Sequence, residues 1–569
     1  MVLSPRAREG TTSHLGPGEE ESRRHGVIGQ AKRILSSQLP YLPFLFLSGW
    51  VFVVLARVFL ARLRYPLDLE WMEGGMLTHA LRIARGEALY AEPSVDFVSF
   101  LYTPLYPAVL AALSKGFGLS YALGRSVSIL GFAGALLVLV AAVRAVAKDY
   151  ASAELRAQAT AAGLLGAAAV CLAFPFCGAF YDLVRCDSLW LLFVSAGLYC
   201  CRPDPAAGRI ALGALLLALG FFTKQTAAPF MLAAAPAIAL TSGLGRGLLF
   251  SAVAFGSTVT AVLAGQYLTD GWLWVYIYQL HQGHETLSQR IWPETPRVLL
   301  DYGFVLLVPV TAWLLLAALR RRLSRTLVYW AAMALTGAAT AAVASATQGA
   351  YDNAYIPAVY FGALLAAAST VELAALAAAL TAAAGADPWS FGKSSGLRLG
   401  SVRVAGLLGL GLLSAHAATH WLDPSPHVPS RHDLAAARSF LAYVRAQGPD
   451  ILVPGHPFYS VLAGGRGHFD IMGVSDVYAW PRSITSDPAW DAAIKDRFRT
   501  SVAGSFKARR WKLVIGDDCA TPRLFGLNTY YEQVEDLAGS GRAPRSLTGY
   551  PCTPRYVWAP RAGASREDR

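Results

Sequence analysis

Charge is the scarcest property of this chain. Asp, Glu, Lys and Arg make up 15% of its 569 residues, against about 25% in a typical soluble domain. Set beside 54% hydrophobic residues, the shortage excludes a soluble globular enzyme, whose single interior has no room for so many apolar side chains. It equally excludes a disordered chain, which is rich in charge and poor in apolar groups. Three motifs are missing: a Walker phosphate loop, a dinucleotide glycine fingerprint following a strand, and a nucleophile elbow. Nucleotide-driven and serine-hydrolase chemistry therefore have no support. Cysteines number only 7 and show no metal-site spacing. Cys171, Cys177, Cys186, Cys200 and Cys201 fall in or beside apolar runs and read as small packed side chains. Cys519 and Cys552 fall in a polar region, where an oxidising compartment would let them pair. No short apolar segment with a small-residue cleavage site precedes the first long apolar run, so that run is expected to be a retained anchor.

What the chain has in quantity is long apolar runs. A spanning helix needs about 20 apolar residues. By that measure about eleven transmembrane helices are expected, centred near residues 50, 135, 167, 195, 216, 233, 258, 309, 336, 368 and 410, the fourth to sixth short and crowded. The fold class is thus a polytopic α-helical membrane protein. Residues 1–40 form a polar tail, 41–420 the membrane domain with a first outer loop at 61–104, and 421–569 a small C-terminal α/β domain. Within that domain Leu434–Val444 has a helical period, while 451–454 and 511–515 read as strands, the second ending in a turn at 516–518. The stretch Leu101–Leu113 is short for a span and is read as half-immersed.

The net charge of +12 is read as topology and not as a nucleic-acid footprint. With the N-terminus in the cytoplasm, the tail and inner loops collect more Lys and Arg than the outer loops between spans, including Arg144, Arg156, Arg209, Arg246, Arg320–Arg322 and Arg403. The C-terminal domain then lies outside the cytoplasm. The first outer loop is instead acidic, with Asp68, Glu70, Glu73, Glu87, Glu92 and Asp96.

Chemistry is sought where ionisable groups meet the membrane edge. Asp68, Glu70 and Glu73 crowd three carboxylates together, which raises proton affinity and suits a general base; a solvated loop accounts for the same residues. Met76–Arg85 reads as an amphipathic helix stopped by Gly86. Arg185, Asp187 and Lys224 interrupt apolar segments, and ionisable groups at such depth mark functional sites by default, with snorkelling the alternative for Lys224. In the expected topology all three share the side of Asp68. His281 and His284 are three apart, one helical face and a candidate metal pair, although hydrogen bonding to loop backbone or lipid headgroups explains them more simply. Asn353 sits in a further outer turn, 348–357.

The ordered set Asp68-Leu69-Glu70, Gly86-Glu87-Ala88-Leu89-Tyr90, Tyr102-Thr103-Pro104-Leu105-Tyr106-Pro107, Gly124-Arg125, Arg185-Cys186-Asp187, Phe222-Thr223-Lys224-Gln225 and Asn353 to Pro357 resembles the GT-C membrane glycosyltransferases. The resemblance is to the protein O-mannosyltransferase and aminoarabinose-transferase branch (glycosyltransferase family 39-like), over about residues 40–380. It implies an inverting sugar transfer from a polyprenyl-phosphate donor to a lipid, glycan or protein acceptor at the outer face of the plasma membrane. It also implies that a first-loop acid is the base. The family usually has adjacent Asp-Glu there; Leu69 intervenes here, leaving Asp68 or Glu70. Arg185 and Lys224 would bind the donor phosphate, supported by Glu73, Asp187, Tyr102, His281, His284 and Asn353. A monophosphate donor carries less charge than a pyrophosphate, so no metal cofactor is required, while His281 with Glu285 keeps a divalent metal open. Membrane lipids are partners and nucleic acid is not. The rival readings are a lipid-linked sugar flippase, which should carry charges at span midpoints and paired broken helices, and a non-catalytic envelope scaffold.

Overall fold

The computed structural model describes residues 39–562 except 149, 151, 321–322, 385–393, 479–486 and 519–524. Nearly all of the polar tail expected at 1–40, and Cys519, lie outside the described residues.

Each of the eleven expected positions is a helix: α1 (Leu42–Leu63), α4 (Tyr121–Val146), α5 (Ala153–Leu172), α6 (Asp187–Cys200), α7 (Ala207–Thr223), α8 (Ala228–Ser242), α9 (Leu244–Leu268), α10 (Thr295–Arg320), α11 (Arg325–Ala346), α12 (Ile356–Ala384) and α13 (Ser394–Thr419). Two further helices, α2 (Glu73–Ala84) and α3 (Leu105–Phe117), lie in the segment after α1. Among the described residues eight helical segments are long and apolar enough to cross a membrane, which makes this a multi-pass membrane protein. The exceptions are α6, α7 and α8, with 14, 17 and 15 residues. Their shortness has a structural use. The chain turns irregularly from 173 to Asp187, and it breaks at Lys224 into a 3-10 turn, Gln225–Ala227, before α8. Arg185 and Lys224 therefore sit on non-helical backbone at helix ends.

Small residues set the packing. The Gly213 carbonyl lies where a Cβ on Gly197 would meet it at 2.8 Å, and Gly337 meets the Pro357 carbonyl at 2.7 Å in the same sense, so α6–α7 and α11–α12 approach backbone to backbone. Alanine-rich α5 is central, with 83% of its apolar stretch buried, against 22% for α9 and for the segment containing α10, which face outward. Side-chain caps start two of these helices, Ser120 accepting from the Leu123 amide and Ser152 from the Leu155 amide.

The C-terminal part is built from α14 (Arg431–Gln447), β1 (Ile451–Leu452), α15 (Pro457–Leu462), α16 (Ile471–Tyr478), α17 (Pro488–Lys507), β2 (Leu513–Asp517), β3 (Tyr531–Asp536) and β4 (Pro554–Pro560). Its sheet has the order β1-β2-β4-β3, with β1 and β2 parallel and the remaining pairs antiparallel. A capping box between Ser430 and Asp433 starts α14, whose Ala437, Phe440 and Val444 form the buried stripe that its period predicts. On α17 the stripe is Ile494, Phe498, Val502 and Phe506. The second predicted strand runs two residues into its expected turn, so Asp517 is the last residue of β2. Cys552 is disulfide-bonded, while Cys171, Cys177, Cys186, Cys200 and Cys201 are free thiols.

This domain is sewn onto the first loop. The amides of Leu547 and Thr548 both donate to the Leu69 carbonyl at 3.0 Å. Arg62, at the end of α1, pairs with Asp182 at 2.7 Å and donates to the Thr548 hydroxyl at 2.9 Å. Near the start of α2 nothing larger than Gly75 fits: a Cβ there would enter the Phe100 ring and approach Asp470 Oδ2 at 2.5 Å. Gly75→Ala is expected to cost about 1–3 kcal/mol by overpacking; a melting temperature in detergent equal to that of the parent protein would contradict this packing.

Candidate active site

Arg125 of α4 organizes the first loop. It is fully buried. Its guanidinium donates to both oxygens of Glu73, at 3.0 and 2.7 Å, and to the carbonyls of Arg62, Tyr65 and Leu67. Glu73 in turn accepts from the amides of Leu69, at 2.6 Å, and Val184, at 2.8 Å. One bidentate ion pair thus ties the loop after α1 to the segment before α6, and Glu73 is committed to that task.

With the loop so held, Asp68 and Glu70 diverge. Glu70 enters a cavity of about 900 Å³ whose walls also carry Tyr102, Arg185 and Lys224. Arg185 donates to Glu70 Oε2 at 3.2 Å and to the Tyr102 hydroxyl at 2.7 Å. Lys224 Nζ lies 2.6 Å from Asp187 Oδ1, to which the Asn353 amide also donates at 3.0 Å. Burial pushes the Glu70 carboxyl up to about 7 against the pull of Arg185. His281, His284 and Asn353 face the same cavity, and a row of small and apolar residues on α11, from Thr336 to Ala344, lines its other side.

Asp68 is not among the residues lining this cavity. It is buried and bonded to His456, whose Nδ1 stands 2.7 Å from Asp68 Oδ2 and whose Nε2 stands 3.5 Å from Asp517 Oδ1. Burial raises the Asp68 carboxyl, with the His456 hydrogen bond opposing. Arg185 and Asp187 each pair outside their own motif, Arg185 with Glu70 and Asp187 with Lys224. His281 approaches the Leu101 carbonyl at 3.1 Å, a bond to loop backbone, and His284 faces Asp476 at 3.3 Å. Among the described residues no three His, Cys, Asp or Glu side chains gather as a metal-binding group.

Sequence reasoning missed His456, Asp517 and Asp470, which surround Asp68, and Met472, Asp476 and Tyr550, which reach the cavity. One signal was available for the first group. His456 follows β1 and Asp517 ends β2, so both stand at the carboxyl ends of adjacent parallel strands, where open α/β sheets place working residues.

No family model matches the chain, and no curated protein matches it. Solved structures do match it, among them two of ArnT from Cupriavidus metallidurans, one bound to undecaprenyl phosphate and one in the apo state. Each aligns with a TM-score of 0.51 at 14% identity, covering 91% of this chain and 100% or 99% of the other. The chain has the GT-C fold. At that identity the likeness is one of architecture, and it extends through the C-terminal part, which the sequence resemblance did not reach. The GT-C fold thus accounts for the first loop, the helices behind it and the domain that covers them.

Proposed function

We propose that this protein is an inverting glycosyltransferase that moves a sugar from a polyprenyl phosphate to an acceptor hydroxyl. The observation that carries the reading is the meeting of Glu70, Arg185 and Lys224 in one cavity with an apolar wall on α11. The prenyl chain would lie along that wall, and the phosphate at the two cations. Undecaprenyl phosphate bound to the ArnT of the same fold supports a lipid phosphate as ligand.

In the reaction, the acceptor oxygen attacks the anomeric carbon from the face opposite the phosphate. Its C–O bond forms as the bond to the phosphate oxygen breaks, with inversion, and the bonding pair leaves on the phosphate. Glu70 takes the acceptor proton. A carboxyl held near 7 by burial is matched to that work at neutral pH. Arg185 and Lys224 balance the charge gained by the departing phosphate monoester. Each cation is held beforehand by a carboxylate, Glu70 or Asp187, so an arriving phosphate competes for Arg185 and frees Glu70 to act as base. Tyr102 fixes the guanidinium plane, and Asn353 fixes Asp187. The charge being balanced is that of one phosphate, and the two cations suffice for it without a metal.

The excess of Lys and Arg in the alternate loops favours a cytoplasmic N-terminus, with the cavity and residues 421–569 outside the plasma membrane. Incubating membranes that contain the protein with radiolabelled polyprenyl-phosphate sugars, and following the label into lipid, glycan or protein, tests the reading; label that stays on the donor in every case rejects it. Arg185→Lys keeps the charge but loses the fork. It is expected to weaken donor binding roughly 10–100-fold, measured as KM for the donor, and an unchanged KM would remove Arg185 from the phosphate site.

A further inference from the structure

One wall of the cavity has no part in the transfer just described. It is polar, and two separate elements supply it: the segment carrying His281 and His284, and α16 of the C-terminal domain, which contributes Met472 and Asp476 one turn apart. His284 Nε2 faces Asp476 Oδ1 at 3.3 Å, with the two residues only 9% and 4% exposed. Asp476 Oδ1 makes no hydrogen bond among the described residues. A buried carboxylate oxygen without a donor is costly. The Asp476 side chain as a whole belongs to the cavity lining, where a sugar hydroxyl can approach its carboxylate. A run of polar side chains joins this wall to the cations: Gln225 follows Lys224 and lies 3.3 Å from His281, whose ring centre is 5.9 Å from that of His284.

We propose that Asp476 and His284 form the sugar subsite, reading hydroxyl groups on the part of the ring away from the anomeric carbon, and that they select a neutral, hydroxyl-bearing sugar over a uronate. The inference rests on the donor reading above. With the phosphate at Arg185 and Lys224 and the prenyl chain along α11, the ring hydroxyls need a polar wall, and this is the wall that remains. The Asp476 carboxylate accepts from a hydroxyl, and the His284 edge completes the contact. A sugar carboxylate in the same place would meet the like charge of Asp476, and among the described residues that line this wall the imidazole of His284 is the cation-forming side chain beside it. On this reading the C-terminal domain sets which sugar is transferred, through a single helix.

The test uses full-length protein in detergent with polyprenyl phosphates bearing a neutral hexose, each of its monodeoxy analogues, and the matching hexuronate. Asp476→Asn is expected to lower kcat/KM for the hexose roughly 10–100-fold and to change little with the one analogue that lacks the recognised hydroxyl. It should also narrow the preference over the hexuronate. Binding of unglycosylated polyprenyl phosphate should stay within about twofold. His284→Gln, on a different element, should repeat the pattern and guards against a folding defect in the first variant. Equal losses with the hexose and all its analogues, a parent protein that prefers the hexuronate, or a parallel loss of polyprenyl-phosphate binding each overturn the subsite. Failure of the donor reading looks different: the parent protein then neither binds polyprenyl phosphate nor transfers any sugar, and the subsite falls with it.

Discussion

Glu70→Gln is expected to cut sugar transfer by about 10²–10⁴-fold, the usual contribution of a positioned general base, while donor binding survives. The substitution keeps the side chain's shape and one acceptor oxygen opposite Arg185, so the cavity should hold its form and the loss should fall on kcat. The pH profile carries a second check. Glu70 acts in its ionised form, and burial places its carboxyl at about 7; transfer should therefore rise as pH climbs through 7 and level off above it. Asp68→Asn separates the two first-loop acids. Asp68 lies outside the cavity and against His456, so its replacement should act mainly through stability; because its charge helps to raise the Glu70 carboxyl, the midpoint should fall only slightly and still belong to Glu70. A Glu70→Gln protein with near-normal kcat, or a midpoint that moves with Asp68 and not with Glu70, would transfer the role of base to the other acid.

The largest effect on stability is expected at His456. Burial alone would push its imidazole down, but Asp517 and Asp68 on either side outweigh burial and raise it to about 9, with Asp470 adding to the pull. Asp517 itself is pushed up to about 6 by burial despite His456, and Asp470 is carried well above the carboxylate range by the same cause. His456→Ala removes the imidazole that stands between Asp68 and Asp517. Removing one partner of a buried ion pair costs about 3–5 kcal/mol, and here the loss falls on the contact between the first loop and the C-terminal domain. The sign of the pH dependence follows from the raised value: the His456 contribution is fully present below about 6.5 and is lost as pH rises through about 9. Melting in detergent from pH 6 to pH 10, as approximate end points around that value, should show alkaline weakening in the parent protein and a flatter profile in His456→Ala. A variant that melts with the parent across this range would show that the cluster holds nothing together.

The membrane part was legible because a bilayer demands so much of it. Long apolar runs have few alternatives to helix, and all eleven positions read from the sequence carry one. The cavity was partly legible for a related reason: Arg185 and Lys224 stood out against an apolar background, and the structure places both on its wall. The choice between Asp68 and Glu70 was not legible. It depends on the turn that Arg125 and Glu73 impose on the intervening backbone, a contact between residues 52 positions apart. His456 and Asp476 were hidden more deeply still. A single His or Asp in a polar domain is ordinary until tertiary packing buries it against the first loop, and no local period announces such burial. The pairing of His281 with His284 was visible as a spacing, but its partners, Leu101 and Asp476, come from distant segments.

The bond from Leu547 and Thr548 back to Leu69 sets an order of events in biogenesis. Gly549 follows at once, in a left-handed turn (φ 78°) where an added Cβ would press on Glu70 Cγ at 2.6 Å. The segment that closes over Glu70 is therefore made after every membrane helix. A nascent chain can thread every helix into the bilayer and still leave the Glu70 cavity open, so that cavity is complete only once residues 547–549 fold down onto the first loop.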